Sequence, residues 1–210
     1  MEITSKEPSL FYPIRVLVWR LDEEVPQLLV LCHEAGIPVE DLMVLPVKRQ
    51  REKAAEQLLL RQAFGCPVSL RHDEQGAPFV ECVDANISIT HTQRLVALAV
   101  DDRHVIGIDA EQCDRQQVLR VRDKFLNAIE KRFIPVDDLA AHVLAWTAKE
   151  AIIKAERNSA LDWTDGICLE PFVVHEGETV FSARCGDRCY RMVSSMIEGH
   201  RITVAVPAEE

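Results

Sequence analysis

Hydrophobic and polar positions along the chain follow two periods, and the switches between them sketch an order of elements. In "PIRVLVW", Ile14, Val16 and Val18 fall on one face of a strand, the period-two pattern of a half-buried sheet position. Asp22 is placed to cap a short helix that runs toward "HEAGIP", where Gly36 and Pro38 stop it. From Val47 to Phe64 the apolar residues Ala54, Ala55, Leu58, Leu59 and Ala63 recur at helical spacing, and Gly65 with Pro67 closes the segment. "VSLRHDEQGAPFVECV" reads as a hairpin about Gly76, and "ISIT" and "LVALAV" read as two further strands joined through "HTQR". "VIGIDAE", Val105 to Glu111, is the next strand.

Beyond it the texture changes. "RQQVLRVRDKFLNAIEKRF" and "VDDLAAHVLAWTAKEAIIKAE" carry helical patterns separated by Pro135, the second with Asp137 or Asp138 near its start. Strands return in "GICLEPFVVHEGETVFSARC", "CYRMVSSMI" and "RITVAVP", punctuated by "HEGE" and Gly199. The pattern of strand, helices and strands thus runs twice, which predicts an α+β fold of two comparable halves, residues 1–102 and 103–210, meeting near Asp101 to His104.

Composition narrows the classes. With 210 residues, 48% hydrophobic and 28% charged, the chain can bury an ordinary soluble core, as one large domain or two small ones. A formal net charge of −10 argues against nonspecific nucleic-acid binding, which needs a surplus of Lys and Arg. No apolar run approaches the roughly 20 residues of a membrane span, and "MEITSKEPSL" is too polar and acidic for a secretion signal. The expected location is the cytoplasm, where seven irregularly spaced cysteines would be reduced thiols. Cys185 and Cys189, with His175 and His200 nearby in sequence, lack the second matching pair that structural zinc normally uses.

The candidate chemistry begins where "VIGIDAE" ends. Asp109 and Glu111 stand two apart, so on a strand both carboxylates project from one face. Such a pair can serve as a metal claw, as a general acid and base, or as two solvated acids at a strand end. In "WTAKEAIIK", Trp146, Glu150 and Lys154 share one helix face, a spacing that also describes an ordinary stabilising surface pair. Three carboxylates beside a phosphate-bearing ligand would suit Mg²⁺, which prefers oxygen donors, and Lys154 with His91 of the "THT" turn would suit the phosphates.

"GIDAE" followed some forty residues later by "WTAKEAIIK", with "ITHT" and "GAP" upstream, resembles the paired signature of the 4'-phosphopantetheinyl transferases, Sfp-like branch, over roughly residues 51–170. The resemblance implies two similar α/β halves related by a pseudo-twofold axis, coenzyme A in the cleft between them, Mg²⁺ on its pyrophosphate, and a monomer. It implies transfer of phosphopantetheine from coenzyme A to a serine of an apo acyl or peptidyl carrier protein, leaving adenosine 3',5'-bisphosphate. By the same resemblance Asp109, Glu111 and Glu150 hold the metal and Glu150 takes the serine proton. Lys154 and His91 meet the phosphates and assist catalysis, Thr90 keeps a hydroxyl at the cofactor, and Arg61 lies near the nucleotide. Trp146 is assigned to packing.

The chain departs from the family at two turns. It has Thr-His-Thr in place of the frequent Ser-His-Ser, and Gly76, Ala77 and Pro78 in place of Gly-Lys-Pro. A cation expected at the ribose phosphate is therefore missing at Ala77, which predicts weak discrimination against 3'-dephospho-coenzyme A unless Arg51, Lys53 or Arg61 substitutes. Two rival functions share these residues: a coenzyme A or carrier-protein binding module without turnover, and a metal-dependent phosphodiesterase.

Overall fold

The computed structural model describes residues 14–208; the N-terminal segment "MEITSKEPSL" lies outside them. Two antiparallel sheets form the body. Strands β1 (Arg15–Arg20), β5 (Leu95–Asp101) and β4 (Asn86–His91) make a three-stranded sheet in the order β1-β5-β4. Strands β6 (Gly107–Gln112), β7 (Ile167–Leu169), β8 (Thr179–Cys185), β9 (Arg188–Ile197) and β10 (His200–Pro207) make a five-stranded sheet in the order β6-β10-β9-β8-β7. A small hairpin of β2 (Leu70–His72) and β3 (Pro78–Val80) turns at Gly76, as the turn chemistry predicts.

Side-chain alternation builds three cores in layers. Leu95, Ala97 and Ala99 of β5 face Ile108, Ala110, Ile202, Val204 and Val206, closing the space between the two sheets. The opposite face of β5, Val96, Leu98 and Val100, packs on Ala55, Leu59 and Leu60 of helix α3 (Val47–Phe64). On the far side of the larger sheet lies helix α6 (Leu139–Glu156), whose Ala145, Ala148, Ala151 and Ile152 join Phe181, Tyr190 and Met192 in a third core. Helix α1 (Val25–Glu34) covers α3 through Leu28 and Cys32 against Ala54 and Leu58.

Several local expectations hold. Helix α3 spans the predicted residues, because Gly65 takes the left-handed conformation (φ +75°) that lets its N–H cap Arg61 O. Helix α6 starts where Asp138 accepts a hydrogen bond from Ala141 N at 2.9 Å. Other expectations fail. Glu24, not Asp22, occupies the N-cap of α1, with its N–H donating to Gln27 Oε1 at 2.8 Å. The short helix α2 (Glu40–Met43) carries no periodic signal of its own, and β6 begins at Gly107, leaving Val105 exposed.

The segment 115–133, expected as one helix, is α4 (Gln117–Arg120), a 3₁₀ turn and α5 (Glu130–Phe133). Adjacent Phe125 and Leu126 are both buried, and Asn127 Oδ1 accepts from Ile129 N and Glu130 N at 2.9 Å each, so the side chain competes successfully with helical hydrogen bonding. The "CLEPFVVHEGET" run breaks similarly: Phe172 and Val174 pack on the core from an irregular segment between β7 and β8. Among the described residues no helix is long and apolar enough to cross a membrane.

Candidate active site

Gly107 is where the site is built. A β-carbon there would overlap the Ala151 carbonyl and stand 2.8 Å from Ala155 N, so only glycine lets β6 lie directly on α6. The small residues Ala148, Ala151 and Ala155 complete that close approach. Because Ile108 and Ala110 face the other sheet, Asp109 and Glu111 face α6, on the one face that their spacing predicts. Contact at glycine thus sets the distance between strand acids and helix side chains.

Two hydrogen bonds hold Asp109, and the lysine that makes one of them also grips the strand backbone. Lys154 Nζ donates to Asp109 Oδ1 at 2.8 Å and to Ile108 O at 2.8 Å, and Thr90 Oγ1 donates to Asp109 Oδ1 at 3.0 Å. β6 is an edge strand, so side chains take over backbone groups that lack a ladder partner: Ile108 N donates to Ser88 Oγ at 3.0 Å. Glu111 is paired with Arg115, whose guanidinium also lies 5.5 Å from the Trp146 ring centroid. Trp146 itself packs against Phe125 and Trp163, in agreement with its assignment to packing.

Among the described residues Glu150 is the one of the three acids that forms no ion pair. Burial raises its pKa above the usual carboxylate range, and the charge of Asp109 adds to that; Lys154 and Arg115 pull in the opposite direction. The neighbouring Lys149 points the other way, into the protein. Its ammonium is fully buried and donates to Glu130 Oε2 at 2.8 Å, Trp163 O at 2.6 Å and Ile167 O at 3.0 Å. Burial lowers its pKa while Glu130 raises it. Glu130 in turn accepts from Asn127 N and Leu169 N, which ties α5 and β7 to α6.

Lys154 also lines a second feature, a cavity of about 300 Å³ bounded by α3, the β2–β3 hairpin, β4 and the end of α6. Its Lys and Arg side chains are Arg49, Lys53, Lys154 and Arg157, joined by His72 and His91. His91 lies 3.5 Å from Arg49 and 3.8 Å from the buried carboxylate of Glu52. Such a cluster of cations in a cleft has the chemistry to receive a polyphosphate.

The structure gathers Asp109, Glu111, Glu150, Lys154 and Thr90 at the β6–α6 contact and sets His91 in the adjoining cleft wall. It does not bring Arg61 there: Arg61 Nε donates to Ala35 O at 3.3 Å, and Arg61 is not among the cleft-lining residues. Arg51 is likewise turned away, onto the carbonyls of Glu23 and Leu21. Lys53 does line the cleft, 2.7 Å from Glu56. Sequence reasoning missed Arg49, Arg157 and the buried Glu130–Lys149 pair, since none has a spacing that separates it from a solvated charge.

The donor set fits a divalent ion in kind. All three acids offer oxygen, the ligand type of Mg²⁺, and burial leaves Glu150 short of positive charge. Among the described residues, however, no three His, Cys, Asp or Glu side chains already converge as a metal cage. Lys154 and Arg115 supply the positive charge instead.

Comparison with known proteins adds one match and one negative result. Residues 105–205 match the family model of the 4'-phosphopantetheinyl transferase superfamily, a span that runs from before β6 into β10 and contains all three acids and Lys154. No curated protein sequence matches the chain.

Proposed function

From the match of residues 105–205 to the 4'-phosphopantetheinyl transferase superfamily, we propose that this chain is a Mg²⁺-dependent enzyme of the Sfp-like branch. It moves 4'-phosphopantetheine from coenzyme A to a serine of an apo acyl or peptidyl carrier protein. The observation that carries this reading is Lys154, which is hydrogen-bonded to Asp109 and also lines the basic cleft, so one cation joins the acids to the phosphate-sized space.

Asp109, Glu111 and Glu150 would hold the metal, which when bound neutralises charge on the pyrophosphate. The chain's own residues do the rest. Lys154 binds the pyrophosphate oxygens, and the Arg49, Lys53 and His91 wall receives the nucleotide. As the serine Oγ attacks the phosphorus that carries pantetheine, the phosphorus–oxygen bond to adenosine 3',5'-bisphosphate breaks. Glu150 accepts the serine proton, being the one of the three carboxylates that no lysine or arginine among the described residues pairs with. Thr90 holds Asp109 in place rather than reaching the donor first.

We further propose that residues 1–102 and 103–210 are halves related by a pseudo-twofold axis and that the protein acts as a monomer. The order β1-β5-β4 repeats in β6-β10-β9, and each half lays one helix of 18 residues on its sheet. Incubation with coenzyme A, Mg²⁺ and a panel of apo carrier proteins, followed by mass spectrometry, tests the function. Carrier gaining the mass of phosphopantetheine is expected. Coenzyme A cleaved without carrier modification would indicate a phosphodiesterase, and no chemistry would leave a binding module.

A further inference from the structure

Arg157 sits where its residue type is least expected. It is the C-cap of α6 in the left-handed conformation, φ +52°, a region that favours glycine. Of the three described non-glycine residues with positive φ, Cys82, Arg157 and Glu198, only Arg157 lines the basic cleft. A side chain kept in a disfavoured backbone conformation inside a cleft points to a use for it.

The four fixed cations of the cleft differ in how firmly they are engaged. Arg49 lies 2.7 Å from Glu52, Lys53 2.7 Å from Glu56 and Lys154 2.8 Å from Asp109. Arg157 reaches only Asp73 Oδ2, at 3.4 Å. Asp73 is already occupied with the hairpin turn, because its Oδ1 accepts from Gln75 N at 2.9 Å and Ala77 N at 2.8 Å. The longest of these four Lys and Arg pairings therefore belongs to a guanidinium, a group shaped to grip a terminal phosphate with two parallel hydrogen bonds.

Coenzyme A presents two anionic groups, a pyrophosphate and a phosphate on the ribose. Lys154 stands in the last turn of α6 and Arg157 is its C-cap, three residues on, and both line the same cleft. One ribose separates the two anionic groups of the donor, so cations at neighbouring places on the chain can meet one group each. Ala77, Gly76 and His72 of the hairpin line the same cleft and add no fixed cation.

We propose that Arg157 is the residue that recognises the ribose phosphate of the donor, exchanging its weak pairing with Asp73 for the phosphate when the nucleotide enters. This rests on the reading of the cleft as a coenzyme A site. It assigns the recognition to the end of α6 rather than to the helix α3 or to the turn at Ala77.

The test uses equilibrium binding, not transfer. Affinities of adenosine 3',5'-bisphosphate and adenosine 5'-monophosphate are measured by calorimetry for the full chain and for Arg157→Gly, Arg157→Lys and Asp73→Asn. Wild type should prefer the bisphosphate by roughly tenfold to a hundredfold. Arg157→Gly relieves the backbone strain, should fold at least as well, and should bring the two affinities within a few-fold of each other. Arg157→Lys should keep part of the preference, and Asp73→Asn should tighten only the bisphosphate. A preference that survives Arg157→Gly, or no preference in wild type, overturns the assignment while leaving the proposed reaction standing. Normal discrimination without any carrier modification overturns the reaction alone, and binding of neither nucleotide overturns both.

Discussion

Gly107→Ala should damage this protein far more than its single added methyl suggests. The new β-carbon would overlap the Ala151 carbonyl and lie 2.8 Å from both the Ala151 carbonyl carbon and Ala155 N. Ordinary contacts between such atoms begin near 3.4 Å, so β6 and α6 must part by about 1 Å or more. Backbone blocks that approach on both sides, since no flexible side chain end can move aside. Overpacking of this kind costs about 1–3 kcal/mol. The same displacement carries Asp109 on β6 away from Lys154 on α6, and a contact of 2.8 Å stretched by that amount is no longer a hydrogen bond. Urea denaturation should therefore show a midpoint lowered with little change in slope, and carrier modification should fall by about a hundredfold or more, beyond what unfolded protein accounts for. Gly177→Ala is the matched control, because no atom lies within 4 Å of where its methyl would stand and its φ is not in the left-handed range; it should be neutral or slightly stabilising. A Gly107→Ala protein with the wild-type midpoint and wild-type transfer would refute the claim that backbone contact at this glycine sets the site.

Asp109→Ala and Glu150→Ala should each abolish carrier modification with the far-ultraviolet spectrum intact, whereas Lys154→Ala should mainly raise the coenzyme A requirement; equal effects of all three on both readouts would contradict the division of roles. Lys149→Met should destabilise the protein by about 3–5 kcal/mol by stranding buried Glu130, measured by urea denaturation, and the double variant Lys149→Met/Glu130→Gln should recover part of that loss. Charge reversal at exposed Arg120 and at exposed Lys124, which lines the aromatic groove of Phe125, Trp146 and Trp163, should slow reaction with an acidic carrier most at low salt without altering nucleotide binding; the related Arg122 is a poorer choice because its Nε is buried. Burial pushes the Cys32 thiol up to about 11, so at pH 8 a thiol reagent should modify exposed Cys66, Cys82 and Cys189 while Cys32 stays protonated and unreactive until the chain unfolds.

Much of the site was legible because strand and helix periods are rigid rulers. A spacing of two put Asp109 and Glu111 on one face, and a spacing of four put Glu150 and Lys154 on another, whatever the rest of the fold did. Helix α3 was legible to its last residue because one glycine encodes its stop. Arg61 illustrates the limit: a helical period says which side of α3 it occupies, but only the presence of Ala35 O decides where its guanidinium ends. The same holds for Arg157, whose sequence context "AERNS" resembles any polar helix end until the hairpin closes against it. The break in 115–133 was hidden because Asn127 scores as a tolerable helix residue and acts as a turn former only when Glu130 is drawn inward to Lys149.

Lys149 and Glu150 are consecutive, and on a helix consecutive side chains point about 100° apart. One is anchored by three oxygen atoms in the interior; the other faces the acids of β6. The buried ammonium therefore works as an indexing pin: it fixes the rotational setting of α6 about its own axis, and with it the compass bearing of Glu150 and, one turn on, of Lys154. A helix of alanines sliding on a glycine strand has little shape to resist turning, so the small-residue contact that brings β6 close would by itself leave the bearing loose. Proximity and orientation are thus held by different residues in this fold. Transplanting the acids and lysine onto another α/β framework would reproduce their spacing, but without an inward-facing cation and a carboxylate to receive it, the transplanted helix would keep the distance and lose the aim.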